Sequence, residues 1–183
     1  MRDKSLSYYR ELYNTMIPLP GSAGAIQAAV NAVLRGHDAY AQVEVDLVIP
    51  WRIVGVLHLM EASCNMKQNL LNGQPLSQRT TIAPVGHGPW GTWEEMASMI
   101  LSNQSWRFPE MWNVPNTLRF FEQWNGWGYS RQRVNSPYLW AGSNHGVGVG
   151  KYVGELAGVP ARYDPAFVSD QIGAAVALRE LGF

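Results

Sequence analysis

Glu61 is the residue of this chain whose setting most suggests chemistry. It follows Ile53, Val54, Val56, Leu57, Leu59 and Met60, apolar residues that cover nearly every angle of a helix. A helix that is apolar all round has no solvent face and is buried. Pro50, just ahead of Trp51, suits the first turn, where its missing N–H would be unpaired anyway. Desolvation raises the pKa of a carboxyl, and the partial negative charge of a helix C-terminus pushes the same way. A carboxylic acid that stays protonated near neutral pH is what a general acid requires. The competing reading is an ion pair between Glu61 and Arg52 or another base.

Other candidates carry less. Gly146, Gly148 and Gly150 before Lys151 suggest a phosphate loop, but a Walker loop needs Gly where His145 stands and Ser or Thr where Tyr152 stands. His58 and Glu61 share a helical face without an HExxH or HxxEH pattern, and His58, His87 and His145 reach a common zinc only through folding. Cys64 with His87 or His145 is a conceivable thiol nucleophile and base, although a small buried residue at a helix end explains Cys64 more simply. No metal or organic cofactor is implied. Two aromatic and amide-rich stretches complete the inventory: Trp124-Asn125-Gly126-Trp127-Gly128-Tyr129, and Ser136 to His145. Asn and Tyr can hydrogen-bond sugar substituents while Trp and Tyr stack on sugar rings. In isolation, Asn125-Gly126 also reads as a plain helix C-cap.

The elements around these residues follow from periodicity and punctuation. Asp3 or Ser5 caps a first helix to about Met16, and a second runs from Ala23 to Leu34 before Gly36. A third covers His37 to Leu47, and the apolar helix follows. Asn65 to Trp90 is a long polar loop, of the kind that is usually functional in a compact domain, with a short hairpin expected around Asn72-Gly73. Thr92 caps a helix to about Leu101, and Glu95 completes a capping box. Further helices are expected over Thr117–Trp124 and Phe167–Leu181, with loops at 103–115 and 135–150.

Composition narrows the function. The chain has 183 residues, a length that suits one domain. Lys+Arg and Asp+Glu balance at 14 each, which offers no basic field for nucleic acid. One cysteine excludes an intrachain disulfide framework. No apolar run approaches the roughly 18 residues of a membrane span, and the N-terminal residues lack the apolar core of a secretory signal. A soluble monomer made in the cytoplasm is expected.

At Glu61-Ala62-Ser63 and Trp124-Asn125-Gly126-Trp127-Gly128-Tyr129 the chain resembles the goose-type lysozymes and soluble lytic transglycosylases. It resembles more closely a family of bacterial and phage lysozyme-like proteins. The stretches carrying that resemblance are Pro50-Trp51 to Ser63, Asn72 to Leu76, Trp93-Glu94-Glu95, Asn125 to Tyr129, Ser136 to Trp140, Ser143-Asn144-His145 and Gly150 to Val153. The resemblance implies an α+β, mainly α-helical, lysozyme-like fold over residues 1–183, with a buried central helix and a small hairpin or loop subdomain. It implies peptidoglycan glycan strands as substrate and Glu61 as the acid for the β-1,4 bond between N-acetylmuramic acid and N-acetylglucosamine. Asn125 and Tyr129 are then expected near the cleaved sugar, and Ser63, Gln74, Thr80, Thr81, Tyr138 and Asn144 along the groove. With no signal sequence and no obvious wall-binding module beside the catalytic domain, the expected setting is a phage endolysin released by a separate membrane-permeabilising protein, with a bacterial wall-remodelling enzyme exported another way as the alternative.

One departure matters. Goose-type lysozymes carry an aspartate downstream of the glutamate, at a place that falls near Gln74 here. Inverting hydrolysis normally uses an acid and a base about 6.5–9.5 Å apart. Three routes stay open: Gln74 with Thr80 or Thr81 holds the water; a distant carboxylate such as Glu94 or Glu95 serves as base; or the muramic acid 6-hydroxyl attacks and Glu61 acts alone, as in a lytic transglycosylase. A chitinase or chitosanase, a non-catalytic glycan-binding phage component and a Cys64-dependent amidase are the other classes compatible with the sequence.

Overall fold

The computed structural model describes residues 4–82, 84–154 and 161–183. The chain is mostly helical, with one small antiparallel sheet among the described residues. It divides into two compact units: Met1–Ala28 with Asn113–Phe183, and the contiguous Ala29–Trp112.

The contiguous unit is built on α3 (His37–Leu47), α4 (Trp51–Ala62) and α5 (Trp93–Ser102), with α3 packed against both of the others. Helix α4 has no wet side: Ile53 to Met60 and Ala62 are all buried. Its first N–H, on Trp51, is accepted by the Glu44 carboxylate at 3.0 Å, which meets the need of an uncapped helix start for a negative group. Gly55 lets the helix be approached closely, since a Cβ there would sit 2.6 Å from Val33 Cγ1 and 2.8 Å from the Tyr40 ring. Val33 belongs to α2 (Ala23–Arg35), the helix within which the division between units falls. Helix α5 starts as a capping box: Thr92 Oγ1 accepts the Glu95 N–H at 3.1 Å, and Glu95 Oε2 accepts the Gly91 N–H at 3.0 Å.

Helix α3 ends at Val48, which holds a left-handed φ of 58° while 79% exposed. Left-handed backbone costs a non-glycine residue about 1–2 kcal/mol, and at this exposure packing returns little of it. Val48→Gly is therefore expected to stabilise the protein by about 1 kcal/mol, raising Tm by about 2–4 °C in a thermal melt. An unchanged or lowered Tm would mean that the strain is relieved elsewhere.

In the other unit, α1 (Leu6–Asn14) packs on α6 (Val114–Trp124), and α8 (Pro137–Trp140) packs on both α6 and α9 (Ala174–Glu180). Ser5 caps α1, accepting the Tyr8 N–H at 3.3 Å; the alternative cap, Asp3, lies outside the described residues. Asn113 caps α6 through the Asn116 N–H at 3.1 Å, and Pro115 sits in its first turn. The small residues of α9 allow close approach, and a Cβ on the preceding Gly173 would lie 2.4 Å from Leu139 O. A short helix, α7 (Gly128–Gln132), follows α6.

Three expectations are corrected here. The sheet is not at Asn72-Gly73, where a single antiparallel bridge joins Gln68 and Pro75; it pairs β1 (Lys151–Val153) with β2 (Arg162–Asp164), Tyr152 opposite Tyr163. Helix α6 begins before Thr117, because Asn113 and Pro115 start it earlier. Helix α9 begins only at Ala174, and Phe167 and Val168, expected in it, are exposed outside any helix.

Candidate active site

Glu61 occupies the last turn of α4 and is half-buried. After it the backbone turns sharply: Ser63 (φ 51°) and Cys64 (φ 58°) are both left-handed. The Ser63 N–H reaches Leu59 O at 3.1 Å and the Cys64 N–H reaches His58 O at 3.2 Å, so the last carbonyls of the helix are used. Two successive non-glycine residues in this conformation store strain, a recurrent feature of functional sites.

The polar loop folds back on this helix end through one buried amide. Asn69 Oδ1 accepts the Leu71 and Asn72 N–H groups at 2.8 and 3.0 Å, and its Nδ2 donates to Gln74 O at 2.9 Å. These bonds close the Asn69–Gln74 turn, with Gly73 left-handed at φ 71°. A Cβ on Gly73 would lie 3.9 Å from Glu61 O, so the turn is seated on the last turn of α4. Gln74 then latches the next part of the loop: its Oε1 accepts the Thr81 and Ile82 N–H groups at 2.8 and 3.2 Å, and its Nε2 donates to Thr81 Oγ1 at 2.8 Å. Thr81 and Ser63 are exposed. Thr80 faces inward instead, its hydroxyl donating to Pro84 O at 2.6 Å and accepting the His87 N–H at 3.0 Å. Of the two acids considered as a base, Glu95 is committed to the start of α5, and Glu94 is half-buried in the same first turn.

One turn before Glu61, His58 is fully buried. Its Nε2 lies 3.1 Å from the Trp93 indole Nε1 and 3.2 Å from Asn65 O, and its Nδ1 lies 2.9 Å from Tyr40 Oη. The indole N–H can only donate and the Asn65 carbonyl can only accept, so Nε2 serves one of these two neighbours according to which ring nitrogen carries the proton. Tyr40, His58 and Trp93 thus tie α3, α4 and α5 together beneath the site. Both ring nitrogens of His58 face protein groups, and among the described residues no group of three His, Cys, Asp or Glu side chains is placed to hold a metal.

Burial pushes the His58 pKa down to about 4, whereas a histidine in the unfolded chain titrates near 6.5. Between these values the unfolded chain takes a proton that the folded protein refuses, so stability is full above about pH 6.5 and falls as the pH drops toward 4. The loss is about 3 kcal/mol at the acid end. Urea unfolding at pH 7 and pH 4.5 is expected to show this fall in the wild type and a shallower one in His58→Gln. Equal slopes would assign the acid sensitivity to other groups. Cys64 is half-buried, and its thiol pKa is raised, chiefly by burial, which opposes its use as a nucleophile.

The remaining expected site residues belong to the other unit. Asn125 is exposed and ends α6 before Gly126 (φ 83°). Tyr129 is 6% exposed, and its hydroxyl accepts the Tyr152 N–H at 3.3 Å; burial raises its pKa. Tyr138 is half-buried, its ring 6.4 Å from that of Phe121. The Asn144 amide bridges the Ile17 N–H at 2.8 Å and Thr15 O at 3.2 Å, a fastening of the segment after α1.

Sequence reasoning passed over the most buried carboxylate among the described residues. Glu122, fully buried on α6, accepts from Lys4 Nζ at 2.6 Å, Tyr9 Oη at 2.7 Å and Ser130 Oγ at 3.0 Å. Burial and then the neighbouring Glu122 charge raise the Tyr9 pKa, so the phenol stays a donor. The signal was present in sequence: a lone acid between Phe120-Phe121 and Trp124, on the apolar side of its helix. Asn69 was overlooked in the same way, though an Asn side chain that accepts from the backbone two residues on is a common turn organiser.

Comparison of the chain with protein-family models, with curated proteins and with solved structures finds no match.

Proposed function

We propose that the chain is a peptidoglycan glycosidase of muramidase type, with Glu61 as general acid. The observation that carries the reading is the setting of Glu61: a half-buried carboxyl ending an otherwise buried helix, with the Asn69–Gln74 turn seated on it. Glu61 protonates the glycosidic oxygen as the bond to the N-acetylglucosamine leaving group breaks, and the muramic acid C1 takes on oxocarbenium character. Water held by the exposed Thr81 hydroxyl, which Gln74 positions, then adds to C1 and passes its proton to the Glu61 carboxylate. The enzyme acts on the cell wall as a phage endolysin, released by a separate membrane-permeabilising protein. No helix among the described residues is long and apolar enough to cross a membrane.

The state of Gln74 favours a second reading. Its amide is neutral and its oxygen already accepts two backbone N–H groups, so it cannot take a proton from water. A single carboxyl suffices if the muramic acid 6-hydroxyl attacks C1 and Glu61, having given its proton, takes that of the hydroxyl. Mass spectrometry of the soluble products from purified peptidoglycan separates the two. Muropeptides ending in reducing muramic acid are the expected result. Products lighter by one water would establish the transglycosylase route. Release of sugars from chitosan or chitin but not from peptidoglycan, or no glycosidic cleavage at all, would overturn the assignment.

A further inference from the structure

The turn that leads the chain away from Glu61 is built on Ser63 and Cys64, both left-handed and neither of them glycine. Backbone of this kind persists only where its surroundings over-determine it. Three groups of the turn are met by two side chains of the same unit, His58 and Tyr40. The Cys64 N–H donates to His58 O at 3.2 Å. The Asn65 carbonyl faces the His58 ring, 3.2 Å from Nε2. The Cys64 thiol shares a side-chain hydrogen bond with the Tyr40 hydroxyl, and that hydroxyl lies 2.9 Å from His58 Nδ1. The bonds form a closed circuit, from Cys64 to Tyr40, on to the His58 ring and back to Asn65. Its members are fixed in place. A Cβ on Gly36 would lie 2.5 Å from Tyr40 Oη, and one on Gly55 2.8 Å from the Tyr40 ring, so the phenol is clasped between two glycines. The His58 ring lies against that of Trp93, with 4.5 Å between centroids. His58 and Tyr40 have no exposed surface, so neither can touch a substrate, and each can act only through the turn.

We infer that His58 and Tyr40 are positioning residues for Glu61: they hold the left-handed turn directly after it and so fix the direction of its carboxyl. The inference rests on the glycosidase reading above. A catalytic group works only within a fraction of an ångström of its productive place, and a misplacement of about 1 Å can cost about 10²-fold in rate. The same circuit gives Cys64 a part that needs no thiolate, as an inward anchor of the turn.

The test is Tyr40→Phe in the full chain, which removes a single oxygen and leaves the ring between its two glycines. On soluble peptidoglycan strands its kcat is expected to fall about 10–100-fold, with KM within about twofold of the wild type. Amide hydrogen exchange of the same protein is expected to quicken about tenfold at Ser63 and Cys64, while Val56 and Leu57 in the middle of α4 keep wild-type rates. His58→Gln should show the same pair of changes. Cys64→Ser, which keeps a hydrogen-bonding group, should restore part of the kcat lost in Cys64→Ala. The inference would be overturned by wild-type exchange at Ser63 and Cys64, by equal quickening along the whole of α4, or by a wild-type kcat in a Tyr40→Phe protein whose turn has loosened. Equal rates in Cys64→Ser and Cys64→Ala would overturn the anchoring part of Cys64. The glycosidase reading fails separately, if Glu61→Gln cleaves the strands at the wild-type rate, and the exchange measurement needs no substrate.

Discussion

Glu61→Gln is expected to lose wall-clearing activity by about 10²–10⁴-fold, the contribution usual for a positioned general acid. Glutamine keeps the shape and the hydrogen-bonding reach of the side chain but has no acidic proton for the leaving oxygen. The residues that hold α4 in place, Ile53 to Met60 and Ala62, are untouched, so urea unfolding should agree with the wild type to within about 1 kcal/mol. The discriminating outcome is kinetic: a folded Glu61→Gln protein that clears purified walls at the wild-type rate would remove Glu61 from the chemistry. The same experiment separates the Cys64 alternative, since a thiol-dependent enzyme would survive Glu61→Gln and fail with a thiol reagent.

Lys4→Met is expected to cost several kcal/mol of stability, about 3–5. The Lys4 side chain is 10% exposed and that of Glu122 is not exposed at all, with 2.6 Å between Nζ and Oε1. Without the ammonium, Glu122 keeps the Tyr9 and Ser130 hydroxyls but loses its counter-charge in a dry environment. Breaking one side of such a pair costs about 3–5 kcal/mol, whereas replacing both partners by apolar groups is often close to neutral. The double variant Lys4→Met/Glu122→Leu is therefore expected to be more stable than Lys4→Met alone, giving a favourable coupling in a double-mutant cycle. A Lys4→Met protein within about 1 kcal/mol of the wild type would show that the pair contributes little, as exposed pairs usually do.

Local chemistry made much of this architecture readable in advance. Helix α3 was legible because Gly36 and the Val48-Ile49-Pro50 break bound it, α5 because Thr92 and Glu95 spell its cap, and α4 because its apolar run excludes a strand of ordinary length and a wet helix alike. What failed was decided by groups far apart in sequence. Phe167 to Ile172 has an apolar rhythm that suits a helix, yet the chain there lies along a groove with Gly146–Gly150, which no local pattern announces. The β1–β2 pair joins strands separated by residues 154–161, and its register depends on Tyr152 meeting Tyr163.

The site divides in the same way. Glu61 could be singled out from the run before it, and the Gln74 and Thr81 side chains do meet. Thr80 and Thr81 are adjacent, and only the folded loop reveals that one hydroxyl is consumed within it and the other exposed. Tyr129 is nearly enclosed in its own unit, with its hydroxyl engaged by a backbone N–H from β1. That bond depends on a hairpin the sequence had not suggested.

The interrupted layout of the unit containing α1 sets an order of assembly. Ala29–Trp112 is one continuous stretch, complete as soon as it leaves the ribosome. Helix α1 precedes that stretch, but its packing partner α6 comes after the whole of it, and the bond from Lys4 to Glu122 spans 118 positions. Closing so long a loop is entropically costly when the intervening chain is loose, and contacts of this range are slow to form. Folding of the middle segment shortens the distance that α1 must search. Helix α1, made before its partner, is thus among the last to dock, and until then its Tyr9 face is a surface on which a chaperone can act.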